Sequence, residues 1–252
     1  KATIIILHGM GEHGGRYLEV ADFLAKNNIS VYVPDLRGFG KSGGRRVYVR
    51  QMSDFYQDLN ALSALAKKQN PTLPLFILGH SFGGLVAASY VAASGARQKI
   101  QGLILSSPLF EVALSVPRWK KILGTALSHV APYYTQATNI NPALLTHDAT
   151  ILKEYPKDPL IHHAISAGLY HQLLKTMRAK ELLAKQLILP TLLLQAGEDA
   201  IVSKAASLLF FESLVSADKE LTVYEGFYHE ILNEADRQEV FFRISQWVLN
   251  HL

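Results

Sequence analysis

The sequence predicts an α/β fold: a mostly parallel central sheet with helices on both faces and an inserted helical cap. Three observations predict it. Short β-branched or apolar runs alternate with amphipathic stretches through the first hundred residues. One of these runs passes directly into G-x-S-x-G and then into a helical pattern. The alternation then stops over 106–190 and resumes at Thr191, leaving far more chain than a parallel crossover needs.

Residues 2–7, 29–33, 75–78 and 100–105 read as buried parallel strands, because a strand covered on both faces is apolar throughout. Between them, 17–27 sets Leu18, Ala21, Phe23, Leu24 and Ala25 on a helical stripe. The stretch 53–69 does the same with Phe55, Leu59, Leu62, Leu65 and Ala66, and Ser53 is its expected N-cap. A helix over 82–94 follows, with Gly95 as its stop signal. Within the inserted stretch, residues 108–185 hold six of the ten prolines and helical patterns at 118–130 and 159–177. Beyond it come a strand at 191–195, a helix at 203–215, a strand at 220–225 and a helix at 237–250. The expected division is a sheet domain of 1–107 with 186–252, and a cap of 108–185.

Composition narrows the function classes. A chain of 252 residues buries a large core without staples. The absence of cysteine removes disulfide frameworks, thiolate zinc sites and a cysteine nucleophile. Hydrophobic residues are 49% and charged residues 18%, which is not a disordered composition. The net charge of +4 is scattered rather than gathered in a stripe, so no nucleic-acid partner is expected. No apolar run reaches the ~18 residues of a membrane span. The chain opens on Lys1 and carries no secretory pattern. A cytoplasmic or membrane-peripheral location is expected, with the possibility of further residues upstream left open.

The chemistry centres on Gly79-His80-Ser81-Phe82-Gly83. Between a buried strand and a helix, this pattern forces a sharp turn that presents the Ser81 hydroxyl at the carboxyl end of the sheet. A Cβ at Gly79 or Gly83 would crowd that turn. The helix N-terminus behind Ser81 favours a developing oxyanion. A serine hydroxyl needs a base, and the base needs a carboxylate to orient it. Of ten histidines, His229 lies just after the last strand, on the same sheet edge as Ser81. Asp199 follows the strand before it and is the chosen acid, with its neighbour Glu198 as the alternative. The order Ser81, Asp199, His229 fits this sheet architecture and excludes the chymotrypsin and subtilisin orders. The oxyanion donors expected are the backbone N–H groups of Phe82 and of Met10, in the His-Gly loop after the first strand.

Metal readings fail. Asn233 stands where H-E-x-x-H would need its second histidine after His229-Glu230, and His162 and His163 would point about 100° apart on a helix. No metal and no organic cofactor is expected. The glycine run 9–15 lacks both the Walker ending and the dinucleotide spacing.

Six stretches in order then carry a family likeness: H-G-M-G-E-H-G-G-R-Y, D-L-R-G-F-G-K-S-G-G at 35–44, G-H-S-F-G-G, D-P-L-I at 158–161, G-E-D-A-I-V and Y-E-G-F-Y-H-E. Together they resemble the monoacylglycerol lipase and lysophospholipase family of α/β-hydrolases over nearly the whole chain. The resemblance implies a serine esterase with a mobile cap over an acyl tunnel, Ser81, Asp199 and His229 as triad, and a small lipid ester as substrate. It also implies that Glu12, Arg16 and Tyr155 meet the glycerol end. The family's usual β-hairpin ahead of the first strand is missing here. Asp35, Arg37 and Ser42 are expected to be architectural, with Gly38, Gly40 and Gly43 serving turns. The basic, amphipathic stretch from Arg118, with Trp119 and Lys120, permits transient contact of the cap with a lipid surface, although packing on the sheet explains it better. Two other classes compete: a serine aminopeptidase, which would need an acidic cluster in the cap to bind a peptide amine, and a non-catalytic binding module, which the intact triad disfavours.

Overall fold

A computed structural model describes residues 1–93, 100–113, 118–138 and 140–252, and of 118–123 the backbone alone. The central sheet has six parallel strands: β1 (Ala2–Leu7), β2 (Ile29–Tyr32), β3 (Leu75–His80), β4 (Gly102–Ser106), β7 (Thr191–Ala196) and β8 (Lys219–Tyr224), in the order β2-β1-β3-β4-β7-β8. Chain order reverses at β1, so loops after strands on both sides of β3 open at one edge. That edge is where an open parallel sheet places its ligands.

Alternate residues of β1, β3, β4 and β7 serve two apolar layers, and these four strands are buried throughout, whereas the edge strands β2 and β8 are only partly buried. Ile4, Ile6, Phe76, Leu78, Ile104 and Leu192 meet Val20 and Leu24 of α1 (Leu18–Lys26) and Phe241, Ile244 and Trp247 of α9 (Gln238–Asn250). Ile5, Leu7, Ile77, Leu105 and Leu193 meet α2 (Ser53–Gln69), α3 (Phe82–Ala92) and Phe210 of α8 (Lys204–Ser213). Helix α3 is buried along its whole length, and its composition is accordingly apolar all round.

Between β4 and β7 the chain forms α4 (Arg118–Val130), β5 (Thr135–Ala137), α5 (Ala149–Glu154), β6 (Ala164–Ser166), α6 (Ala167–Arg178) and α7 (Lys180–Ala184). The helix expected from 159 begins only at Ala167. Asp158 turns the chain there instead, and 164–166 pairs antiparallel with β5. Ser166 then caps α6 by accepting from the Leu169 N–H at 3.1 Å. Consequently His162 and His163 sit in the irregular segment between the turn at 159–160 and β6 rather than on a helix. Ser53 is the first residue of α2 and not its cap; Met52 occupies that place without a side-chain bond. Gly43 has no special conformation, and Gly44 carries the positive φ instead. The stop signal at Gly95 and the side chains of Arg118, Trp119 and Lys120 lie outside what is described.

Candidate active site

Ser81 stands between β3 and α3 with φ 51° and ψ −115°, a conformation that L residues avoid. The tightness of the elbow explains why glycines flank it. A Cβ on Gly79 would run into the Gly83 carbonyl, and one on Gly83 into the Leu7 carbonyl. The Ser81 N–H donates to the Ser106 carbonyl at 2.9 Å, and its own carbonyl accepts from Leu109 at 2.9 Å. These bonds fasten the strained residue to the end of β4.

Three loops from three strand ends converge here. His229 Nε2 lies 2.9 Å from Ser81 Oγ, and His229 Nδ1 lies 2.8 Å from Asp199 Oδ2. Because an ionised carboxylate can only accept, Nδ1 carries the proton and Nε2 is left to accept the serine hydroxyl. Asp199 Oδ1 takes the Ile201 and Val202 N–H groups, each at 2.9 Å. Burial opposes the Asp199 charge, but His229 and these donors outweigh it and hold the carboxyl below its ordinary range. Burial also opposes charge on His229, yet Asp199, with Glu230 and Glu12 behind it, raises the imidazole above its ordinary value. Glu198, the alternative acid, has an exposed side chain, whereas that of Asp199 is fully buried. Ser81 is 7% exposed and His229 4%.

Among the described residues no protein acceptor takes the N–H of Met10 or of Phe82. Both remain available to an oxyanion. The loop bearing Met10 is stiffened from within. Glu12 Oε1 accepts from the Gly9 N–H at 2.5 Å and from the Tyr17 hydroxyl at 2.6 Å. His8 Nε2 accepts from the Leu36 N–H at 2.9 Å, so its proton is on Nδ1, facing the Gly9 carbonyl.

The structure brings Glu12, Arg16 and Tyr155 together beside His229. Arg16 forks onto Glu230 at 2.8 and 2.6 Å and also pairs with Glu12; its guanidinium lies 5.1 Å from the centre of the Tyr155 ring. Burial works against the Glu12 charge, but Arg16 overcomes it and holds the carboxyl down at about 2. Burial pushes the Tyr155 phenol up to about 12. Among the described residues that hydroxyl has no hydrogen-bond partner.

Three neighbours were not foreseen. Glu230 completes the Arg16 pairing, although in the sequence it stood only in a failed metal motif and at the end of the Y-E-G-F-Y-H-E stretch, with no role of its own. Gln195 donates to Asp199 Oδ2 at 3.3 Å. A lone amide in the apolar run of β7 was its available signal. Glu234 had no signal. The 35–44 loop is architectural as expected: Asp35 accepts from Gly14 and Lys41 N–H groups, and Arg37 forks onto Asp58. One trio elsewhere, Asp218, Glu220 and His251, gathers ligand atoms within 4.8 Å. It is already spent on ion pairs, His251 with Asp218 and Glu220 with Arg243. No helix among the described residues is long and apolar enough to cross a membrane.

This sheet, with its nucleophile elbow and carboxyl-edge loops, is an α/β-hydrolase fold. The family model described as "Serine aminopeptidase, S33" matches residues 1–236. The monoacylglycerol lipase of Mycolicibacterium smegmatis is 31% identical over 255 residues, covering all of this chain and 89% of that protein. Rat monoglyceride lipase is 34% identical over 255 residues, covering all of this chain and 84% of the relative. The crystal structure of Paleococcus ferrophilus monoacylglycerol lipase superposes with a TM-score of 0.90 at 28% identity, over 99% of this chain and 95% of that one. The chain belongs to the monoacylglycerol lipase-like family of α/β-hydrolases, and it is a carboxylic ester hydrolase acting on lipid esters.

Proposed function

We propose that the chain hydrolyses monoacylglycerols through Ser81, His229 and Asp199. The observation that carries this reading is the unbroken hydrogen-bonded series from Ser81 Oγ to Asp199 Oδ2, at 2.9 and 2.8 Å. Ser81 Oγ attacks the ester carbonyl as its proton passes to His229 Nε2. Asp199 balances the imidazolium that results. The Met10 and Phe82 N–H groups receive the oxyanion. Collapse breaks the ester C–O bond, and Nε2 returns the proton to the departing glycerol oxygen. Water, deprotonated by the same nitrogen, then cleaves the acyl-serine and frees the fatty acid.

The charge balance favours an uncharged head group. Arg16 is the one cation of the cluster, and two carboxylates already hold it. A phosphate-bearing lysophospholipid would find no unspent cation in that cluster. The Tyr155 hydroxyl is the group left to meet a glycerol hydroxyl. Residues 108–185 act as the cap. The segment 158–162 is held on the loop after β1 by His13 on Asp158 at 2.8 Å and by the Gly11 carbonyl, which accepts from the His162 N–H at 2.6 Å. Aminopeptidase action is disfavoured because four of the cap's five acids are already paired, Glu111 with Lys180, Asp148 with Arg237, Glu154 with Lys157 and Asp158 with His13, which leaves Glu181 alone and, among the described residues, no acidic cluster for a peptide amine.

The test is steady-state hydrolysis of a monoacylglycerol, a lysophosphatidylcholine, a p-nitrophenyl ester and an aminoacyl anilide by the wild-type protein and Ser81→Ala. A Ser81-dependent rate highest on the monoacylglycerol is expected. A rate highest on the anilide, or activity that survives Ser81→Ala, overturns the reading.

A further inference from the structure

The loop that carries His229 is fastened by a carboxylate that takes no part in the chemistry above. Glu234 has a side chain only 2% exposed. Its Oε1 accepts from the Tyr228 N–H at 2.8 Å, on the residue immediately before His229. The same oxygen accepts from His147 Nδ1 at 2.9 Å, and Oε2 accepts from the His147 N–H at 2.9 Å and the Ala235 N–H at 3.2 Å. Every group around this carboxylate is a donor. Burial works against its charge, but the His147 and Tyr228 N–H groups prevail, and the carboxyl is held below its ordinary range.

The contacts around it join the same two stretches of chain. The Thr146 hydroxyl donates to the Asn233 carbonyl at 2.8 Å, and the Glu230 N–H donates to the Leu145 carbonyl at 2.8 Å. Arg237 reaches Asp148 at 2.8 Å, and the His147 ring lies 3.8 Å from that of Tyr228. One side of this joint is the 228–237 loop. The other is 145–148, inside the stretch inserted between β4 and β7. Glu234 bonds both to the backbone of Tyr228, beside His229, and, through both of its oxygens, to the inserted stretch.

We propose that Glu234 is a positioning residue for the base: it seats the His229 loop against 145–148, so that docking of the inserted stretch and alignment of His229 on Ser81 occur together. The proposal rests on His229 being the base. A carboxylate is required because four donors converge on it. An amide in its place would turn an NH2 group against N–H groups and leave at least one donor unpaired in a buried site. A sub-ångström drift of the base is enough to matter, since about 1 Å of misplacement costs on the order of 100-fold in rate.

Glu234→Gln is compared with wild type on a soluble p-nitrophenyl ester, at a temperature where both are folded by circular dichroism. The expected result is a kcat lower by about 30- to 100-fold with KM within about 3-fold. The low-field proton resonance of the His229–Asp199 bond should shift or broaden in parallel. The double variant Thr146→Val/His147→Ala removes the side-chain bonds that 146 and 147 contribute to the joint and keeps their backbone bonds and the Tyr228 bond. It should lose about 10-fold in kcat, and it carries the test alone if Glu234→Gln does not fold. A folded variant with a lower Tm but kcat within about 2-fold and an unmoved resonance would make Glu234 merely structural and overturn the proposal. Ser81→Ala separates the two readings: activity that survives it removes the assignment of the site, whereas its loss alongside a fully active Glu234→Gln removes only the role of Glu234.

Discussion

His80 and His229 lie ring against ring, 4.9 Å between centroids, and their protonation is driven in opposite directions. Burial, with the His229 charge beside it, pushes His80 down to about 4. His229 is equally buried, but Asp199 lifts it. Two adjacent imidazoles therefore have separate states: His80 is neutral throughout the working range, and only His229 titrates there. The base must be unprotonated, so kcat/KM is expected to rise with pH to a midpoint above 6.5, the ordinary histidine value. The charges facing His229 are those of Asp199, Glu230 and Glu12. Asp199→Asn removes the strongest of them. It should move the midpoint down and cost on the order of 1,000-fold or more in kcat. His80→Gln should leave the midpoint in place. A midpoint that follows His80 instead would contradict the assignment.

The conformation of Ser81 gives a second expectation. At φ 51° a Cβ is a burden, and glycine alone carries none. Ordinarily alanine is the more stabilising of the two small residues. Here the order should reverse, with Ser81→Gly more stable than Ser81→Ala by about 1–2 kcal/mol in urea unfolding. Neither variant should react with a fluorophosphonate probe. If the alanine variant proves the more stable, the elbow holds no strain.

The legible part of this protein was the part written in local pattern. Apolar runs marked the four inner strands to within a few residues because those strands are buried on both faces, and β-branched residues marked the partly buried edge strands β2 and β8. The elbow was legible because its strand, its G-x-S-x-G turn and its helix are consecutive in sequence, although the contact that demands Gly83 is with the distant Leu7 carbonyl, and Asp199 and His229 because strand ends fix their address. The inserted stretch was harder. Residues 164–166 read as helix because the bond pairs that make them a strand reach back to 135–137, and no local pattern records such a partner. The charge cluster was partly hidden for the same reason. Glu12 and Arg16 lie one turn apart, but Glu230 and Glu234 find their partners across the fold, at Arg16 and at His147.

Gly83→Ala tests how closely the elbow is packed. A methyl group there would meet the Leu7 and His8 carbonyls, which are backbone atoms and cannot swing aside as a side chain would. Helix α3 must retreat from the end of β1, at a cost of about 3 kcal/mol. The same retreat separates Phe82 from the loop that carries Met10. Activity should therefore fall by more than stability alone explains, when kcat is read at a temperature well below the transition. Unfolding midpoints in urea and kcat on one ester, taken together, check this. A fully active variant of lowered stability would show that the oxyanion donors do not depend on this contact.

Glu12 sets how the fold meets acid. Its carboxyl is held at about 2 in the folded chain against 4.5 when free. A depressed carboxylate contributes stability above its unfolded value, and that contribution is lost as pH falls from about 4.5 towards about 2. At roughly 1.4 kcal/mol per unit the contribution at neutral pH is a few kcal/mol. Glu12→Gln keeps the shape and removes the charge. It should be less stable than wild type at pH 7, and the gap should close on acidification to pH 3 and below. Urea unfolding of both proteins at a series of pH values reads the gap directly. A gap of constant size would mean that Glu12 stabilises through its bonds to Gly9 and Tyr17 and not through its charge beside Arg16. A gap that closes identifies the Arg16 pairing as the interaction that acid removes, with the loop bearing Met10 loosened in the same pH range. Catalysis measured at pH 5 and at pH 7 should then differ less in Glu12→Gln than in wild type, because Glu12 is one of the charges that raise His229.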